Sequence, residues 1–130
     1  MGEYKAEMRE LHRTRLAGDE VPTVVRDAKF GLGQIVRHRF YPFRGVIFDV
    51  DPTFNHTEEW WQSIPEAIRP HKDQPFYHLL AENDSSHYVA YVSEQNLLLD
   101  DDKGPIKHPQ VNEMFDGLHD GAYIAKQVYN

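Results

Sequence analysis

Apolar positions along this chain fall into two kinds of pattern. The first is short runs, alternating or wholly apolar, separated by Gly, Pro, Asn and Asp. These predict strands over Gln34–Arg39, Arg44–Val50, Phe76–Glu82 and Tyr88–Ser93, and a shorter one over Gln95–Leu99. Strict alternation in the second run places Val46, Phe48 and Val50 on one face and Gly45, Ile47 and Asp49 on the other. Gly45 near its start allows a bulge or sharp bend. Pro42 suits a turn before this run, and the polar Asn83-Asp-Ser-Ser-His87 predicts an antiparallel hairpin between the third and fourth.

The second pattern is helical spacing. Tyr4, Met8 and Leu11 mark an amphipathic segment over Glu3–Leu16, ended by Gly18-Asp-Glu-Val-Pro22. In the long Pro52–Pro75 connection, Asn55-His-Thr-Glu58 has capping-box spacing and predicts a helix over His56–Ser63. Pro65 and Pro70 then bracket a short turn at Glu66–Arg69. Trp60 and Trp61 on that helix point about 100° apart, so one enters the core and the other lies over a groove, another subunit or a ligand. Val111, Met114, Phe115 and Leu118 form one stripe of a C-terminal helix, which docks back on the domain or enters a partner's groove.

The expected fold is mainly β: a small SH3-like, partly open five-stranded barrel with a long helical insertion and a short C-terminal helix. Its organisation is an N-terminal extension over 1–27, helical or flexible, a barrel domain over 28–109, and a C-terminal helix and tail over 110–130.

Composition narrows the chemistry. A chain of 130 residues with 40% hydrophobic positions can bury one modest core. No apolar run approaches the roughly 20 residues that span a bilayer, and no signal-peptide core is visible, so a cytoplasmic address and no membrane partner are expected. The absence of cysteine excludes disulfides, thiolate metal sites and Cys nucleophiles. A net charge of −7 opposes indiscriminate polyanion binding. Locally the sign reverses. Between Asp27 and Asp49 there is no acidic residue, while Lys29, Arg37, Arg39 and Arg44 are cationic.

Enzyme motifs fare poorly. Asp49-Val-Asp51-Pro-Thr53 resembles the first motif of haloacid-dehalogenase-type phosphatases, whose nucleophile ends a parallel strand. The later runs look like a hairpin, and parallel crossovers are missing. Gly31 and Gly33 lack the third glycine of a dinucleotide fingerprint. The eight histidines are scattered, without a tight ligand pair, and Asp49-x-Asp51 and Asp100–Asp102 fail as calcium loops. No catalytic residue, metal or cofactor is expected.

Four segments carry a family resemblance: Phe30–His38, Tyr41–Pro52, Gln74–Leu80 and Tyr88–Leu97. Residues 29–109 resemble the HspQ/YccV-like family, also described as the hemimethylated-DNA-binding domain family. That resemblance implies a small barrel-like β fold without a catalytic site. It implies binding of hemimethylated DNA, with nucleoid association. It also implies a heat-shock role as specificity factor or substrate of the Lon ATP-dependent protease, and self-association as a homo-oligomer.

Two candidate surfaces follow. For DNA, Lys29, Arg37, Arg39 and Arg44 supply phosphate contacts, with Tyr41, Phe40 and Phe43 interleaved for stacking. For protein partners, Trp60 and Trp61 and the stripe Val111, Met114, Phe115 and Leu118 supply apolar anchors. An oligomerisation or protein-interaction module without DNA binding is the alternative.

Overall fold

Strand β2 (Arg44–Asp51) is the longest among the described residues and lies at the centre of the main sheet. The computed structural model describes residues 27–100 and 104–126, so the helix expected over Glu3–Leu16 lies outside the described residues. β1 (Ile35–His38), β3 (Phe76–Glu82), β4 (His87–Ser93) and β5 (Leu97–Leu99) complete an antiparallel sheet in the order β4-β3-β2-β1-β5. No ladder among the described residues joins β4 to β5, so this sheet is not closed. The β3–β4 hairpin turns on Asn83, whose Oδ1 accepts the N–H groups of Ser85 and Ser86.

Apolar clusters lie on both faces. Val36, Phe43, Ile47, Tyr77, Leu79, Val92 and Leu97 form the larger one. Ile35, Val46 and Leu80 point the other way, into a second cluster with Ile106, Val111, Phe115 and Tyr123. The expected alternation of β2 does not survive its full length. A bulge between Ile47 and Asp49 leaves Phe48 as the extra residue. Val50 therefore joins the face of Ile47 rather than that of Val46 and Phe48, while Asp49 and Asp51 turn away from it. Gly45 has a different use from the bend proposed for it. A Cβ there would stand 2.7 Å from the Leu80 carbonyl oxygen, so glycine allows close strand packing.

The C-terminal stripe is the clearest departure from expectation. Helix α2 (Val111–Met114) makes one turn and ends at Phe115, whose backbone is extended. Phe115 and Leu118 belong instead to β6 (Phe115–His119), which pairs with β7 (Ala122–Ala125), so the described residues form seven strands rather than five. Asp120 (φ 53°) and Gly121 (φ 80°) form the two-residue connection, the geometry of a type I′ turn. An Asp-Gly pair strongly favours that turn, and it outweighs a helical stripe of only four positions. Val111 and Phe115 are buried, Met114 is partly buried, and Leu118, opposite Tyr123 in the hairpin, is exposed.

Between β2 and β3 lie α1 (Glu58–Gln62) and a 3-10 turn at Glu66–Ile68. The helix is capped by Thr57, whose Oγ1 accepts the Trp60 N–H, and not by Asn55. No helix among the described residues is long and apolar enough to cross a membrane.

Candidate nucleic-acid interface

The turn between β1 and β2 is held by a histidine. His38 Nδ1 accepts the backbone N–H groups of both Phe40 and Tyr41, each at 3.0 Å. Its ring stacks on Tyr41, with centroids 4.9 Å apart, and packs against the buried Phe43 at 5.1 Å. Two accepted bonds on one nitrogen require a neutral ring, and burial pushes the imidazole pKa down to about 4. A rigid turn results. It carries Phe40 and Tyr41 outward, 60% and 41% exposed.

Of the four cations predicted to sit here, three are on the surface. Arg37 and Arg39 are exposed on either side of the buried His38, and Arg39 Nε donates to the Gln95 carbonyl. Lys29 is exposed too. Its backbone N–H donates to Glu94 Oε2, one residue before the carbonyl that holds Arg39. Tyr77 donates to the same carboxylate oxygen, which fixes that corner; burial, then this bond, hold the phenol pKa well above its ordinary value.

Arg44 has another role. It lies in a cross-strand row running Leu98, Arg37, Arg44, Glu82, His87. Its Nε donates to Asp100 and one terminal nitrogen to Glu82 and to the Pro105 carbonyl. The other terminal nitrogen donates to the Gly104 carbonyl. Burial opposes the charge, but bonds to Asp100 and Glu82 outweigh it and hold the guanidinium above its ordinary pKa. Glu82 also accepts the Lys107 N–H, and His87 packs edge-on against His108. Arg44 therefore clamps residues 104–107 onto the sheet. With four of its five N–H donors engaged in these bonds, it is committed to the clamp rather than to a phosphate.

A groove opens on the other side of the turn. It holds about 720 Å³ and is lined by Tyr41, Phe43, Trp60, Ile64, Pro65 and Tyr88 among others. Trp60 closes one wall, packing edge-on against Tyr91 and stacking on His56. Trp61 lies elsewhere: its Nε1 donates to the Pro70 carbonyl, and Lys72 and Arg69 sit over its ring. Both tryptophans are half-buried, so neither takes the fully buried position expected of one of them. The stripe Val111, Met114, Phe115 and Leu118 lies on the C-terminal segment, with Val111 and Phe115 inside the second apolar cluster.

Asp49 and Asp51 stand on a strand flanked on both sides by antiparallel neighbours. A phosphatase nucleophile needs the end of a parallel strand, so that reading has no structural basis. Asp51 is instead buried, with its Oδ2 2.9 Å from His78 Nε2 and accepting the Tyr91 hydroxyl at 3.0 Å. His38, Tyr88 and Ile64, and the place of Pro65 in the groove, were not singled out from the sequence. Tyr88, Ile64 and Pro65 meet the turn through contacts distant along the chain, whereas His38 acts on its near neighbours Phe40 and Tyr41, a signal that was local.

A mainly β domain carrying an aromatic and cationic turn is the class that these features define. The family model for the "Hemimethylated DNA-binding protein YccV like" group matches residues 28–122, and the chain belongs to this YccV-like family. Among individual proteins it is similar to F-box only protein 21. Identity is 33% over 100 residues with the Homo sapiens protein, covering 76% of this chain and 15% of that one. For the Mus musculus protein the figures are 32%, 76% and 16%. The chain thus spans about a sixth of the length of these curated relatives. No solved structure matches.

Proposed function

We propose that this protein is a non-catalytic DNA-contacting module whose interface is the β1–β2 turn. The observation that carries the reading is the exposure of Phe40 and Tyr41 on a rigid turn flanked by Arg37 and Arg39. Arg37, Arg39 and Lys29 contact phosphates, which fixes position without reading sequence. The aromatic pair supplies an apolar surface for a methyl group in the major groove, as apolar side chains do for the thymine methyl. The family description supports DNA as ligand and hemimethylated DNA as the form to test. In this reading the curled sheet is a partly open SH3-like barrel, a scaffold that presents loops. Titration of the full chain with hemimethylated, fully methylated and unmethylated duplexes of one sequence tests it. Tightest binding to the hemimethylated duplex supports the proposal, and no binding to any of them refutes it.

A second reading is favoured by the groove beside Trp60 and by the F-box relatives. Here the domain captures a protein segment in that groove, and a Lon-type protease or a second copy of the chain is the candidate partner. Immobilised Lon-type protease with wild-type and Trp60→Ala protein separates the two readings. Capture lost in the variant, with DNA affinity kept, assigns the groove to protein.

A further inference from the structure

A polar cluster away from the turn carries a different chemistry. The bulge at Phe48 makes Asp49 the cross-strand partner of His78, and Asp51 that of Phe76. Without the extra residue both carboxylates would share the face of Ile47, inside the larger apolar cluster, where an unsolvated charge is costly. With it, one ligand atom each from Asp49, Asp51 and His78 come within 4.8 Å of one another.

His78 Nε2 is 2.9 Å from Asp51 Oδ2 and 4.0 Å from Asp49 Oδ2. Bonds of about 2.1 Å to a shared ion place neighbouring donors roughly 3–4 Å apart. The geometry points to a binding site for one divalent first-row transition ion, of the Zn²⁺ or Mn²⁺ kind, held by Asp49, Asp51 and His78. Two carboxylates and an imidazole suit such an ion better than Ca²⁺ or Mg²⁺, which favour all-oxygen shells. The Tyr91 hydroxyl, donating to Asp51 Oδ2, holds that carboxylate in orientation. Asp51 and His78 have side chains 1% exposed, whereas that of Asp49 is 23% exposed and gives the ion its way in from solvent.

Coordination replaces the hydrogen bond between His78 Nε2 and Asp51, and it requires the tautomer with the ring proton on Nδ1, so the proton that Nε2 donates to Asp51 leaves that nitrogen. The ion ties β2 to β3 beneath the insertion, a structural role independent of the turn.

The test uses the full chain and two probes. Calorimetric titration with ZnCl₂ is expected to give one equivalent at this site, and Asp49→Asn to weaken it by about tenfold or more. Asp49 is chosen because its partial exposure lets the variant fold, which the ion-free amide spectrum checks. In wild-type protein, Mn²⁺ is expected to broaden the amide resonances of residues 49–51 and 77–79 first. Absence of binding, an unchanged affinity in Asp49→Asn, or broadening centred on other histidines or on residues 100–102 would overturn the site.

Discussion

Arg37 and Arg44 are direct cross-strand partners in the β1–β2 ladder, yet one is exposed and the other is held by two carboxylates and two carbonyls. Like charges placed opposite one another repel. Glu82 and Asp100 compensate by pairing with Arg44. Replacing Arg44 with Ala strands both carboxylates and releases the carbonyls of Gly104 and Pro105. Its side chain is 19% exposed, so the loss is smaller than for a fully buried pair, about 2–3 kcal/mol. Urea denaturation measures it. An unchanged midpoint would mean the clamp contributes nothing.

Stability should depend on His38. Its folded pKa, about 4, lies below the ordinary imidazole value of 6.5, so between these limits the unfolded chain binds more protons. Its contribution is full above pH 6.5 and is lost as pH falls toward 4. Protonation of Nδ1 also removes the acceptor for the Phe40 and Tyr41 N–H groups. Following the His38 ring resonance by NMR should show a midpoint near 4, with the Phe40 and Tyr41 amides shifting together. A midpoint near 6.5 would show that the ring is not held as described.

The terminal hairpin should prove integral to the fold. Phe115 is 4% exposed among Ile35, Val46 and Leu80, and Phe115→Ala should cost about 3 kcal/mol. Gly33 joins hairpin and sheet: its carbonyl accepts the Tyr123 N–H at 2.7 Å. With φ at +87° and a Cβ that would stand 2.0 Å from the Tyr123 oxygen, Gly33→Ala should separate the two. Hydrogen exchange would report it as lost protection at Tyr123. Retained protection would contradict the joint.

How far the sequence led is clear from particular residues. The main sheet was legible because Phe76–Glu82 and Tyr88–Ser93 each sit between strong turn signals, and the hairpin between them follows directly. The C-terminal strands were not legible from the stripe Val111, Met114, Phe115 and Leu118, whose helical spacing masks Asp120-Gly121, a two-residue turn of the strongest kind. The face change in β2 was not legible, since a bulge depends on the partner strand. The basic island was visible as composition. That Arg44 belongs to the clamp was not, because Glu82 and Asp100 lie 38 and 56 residues away.

In the proposed interface Arg37, Arg39 and Lys29 contact phosphate while Arg44 does not. Each phosphate contact contributes about 0.9 to the slope of log K against log salt on duplex DNA. Measuring that slope for wild-type, Arg37→Ala and a conservative Arg44→Lys variant is the most direct test. The account predicts a wild-type slope of about −2.7, a fall of about 0.9 in magnitude for Arg37→Ala, and little change for Arg44→Lys. A slope unaltered by Arg37→Ala would contradict the assignment of the β1–β2 turn as the interface.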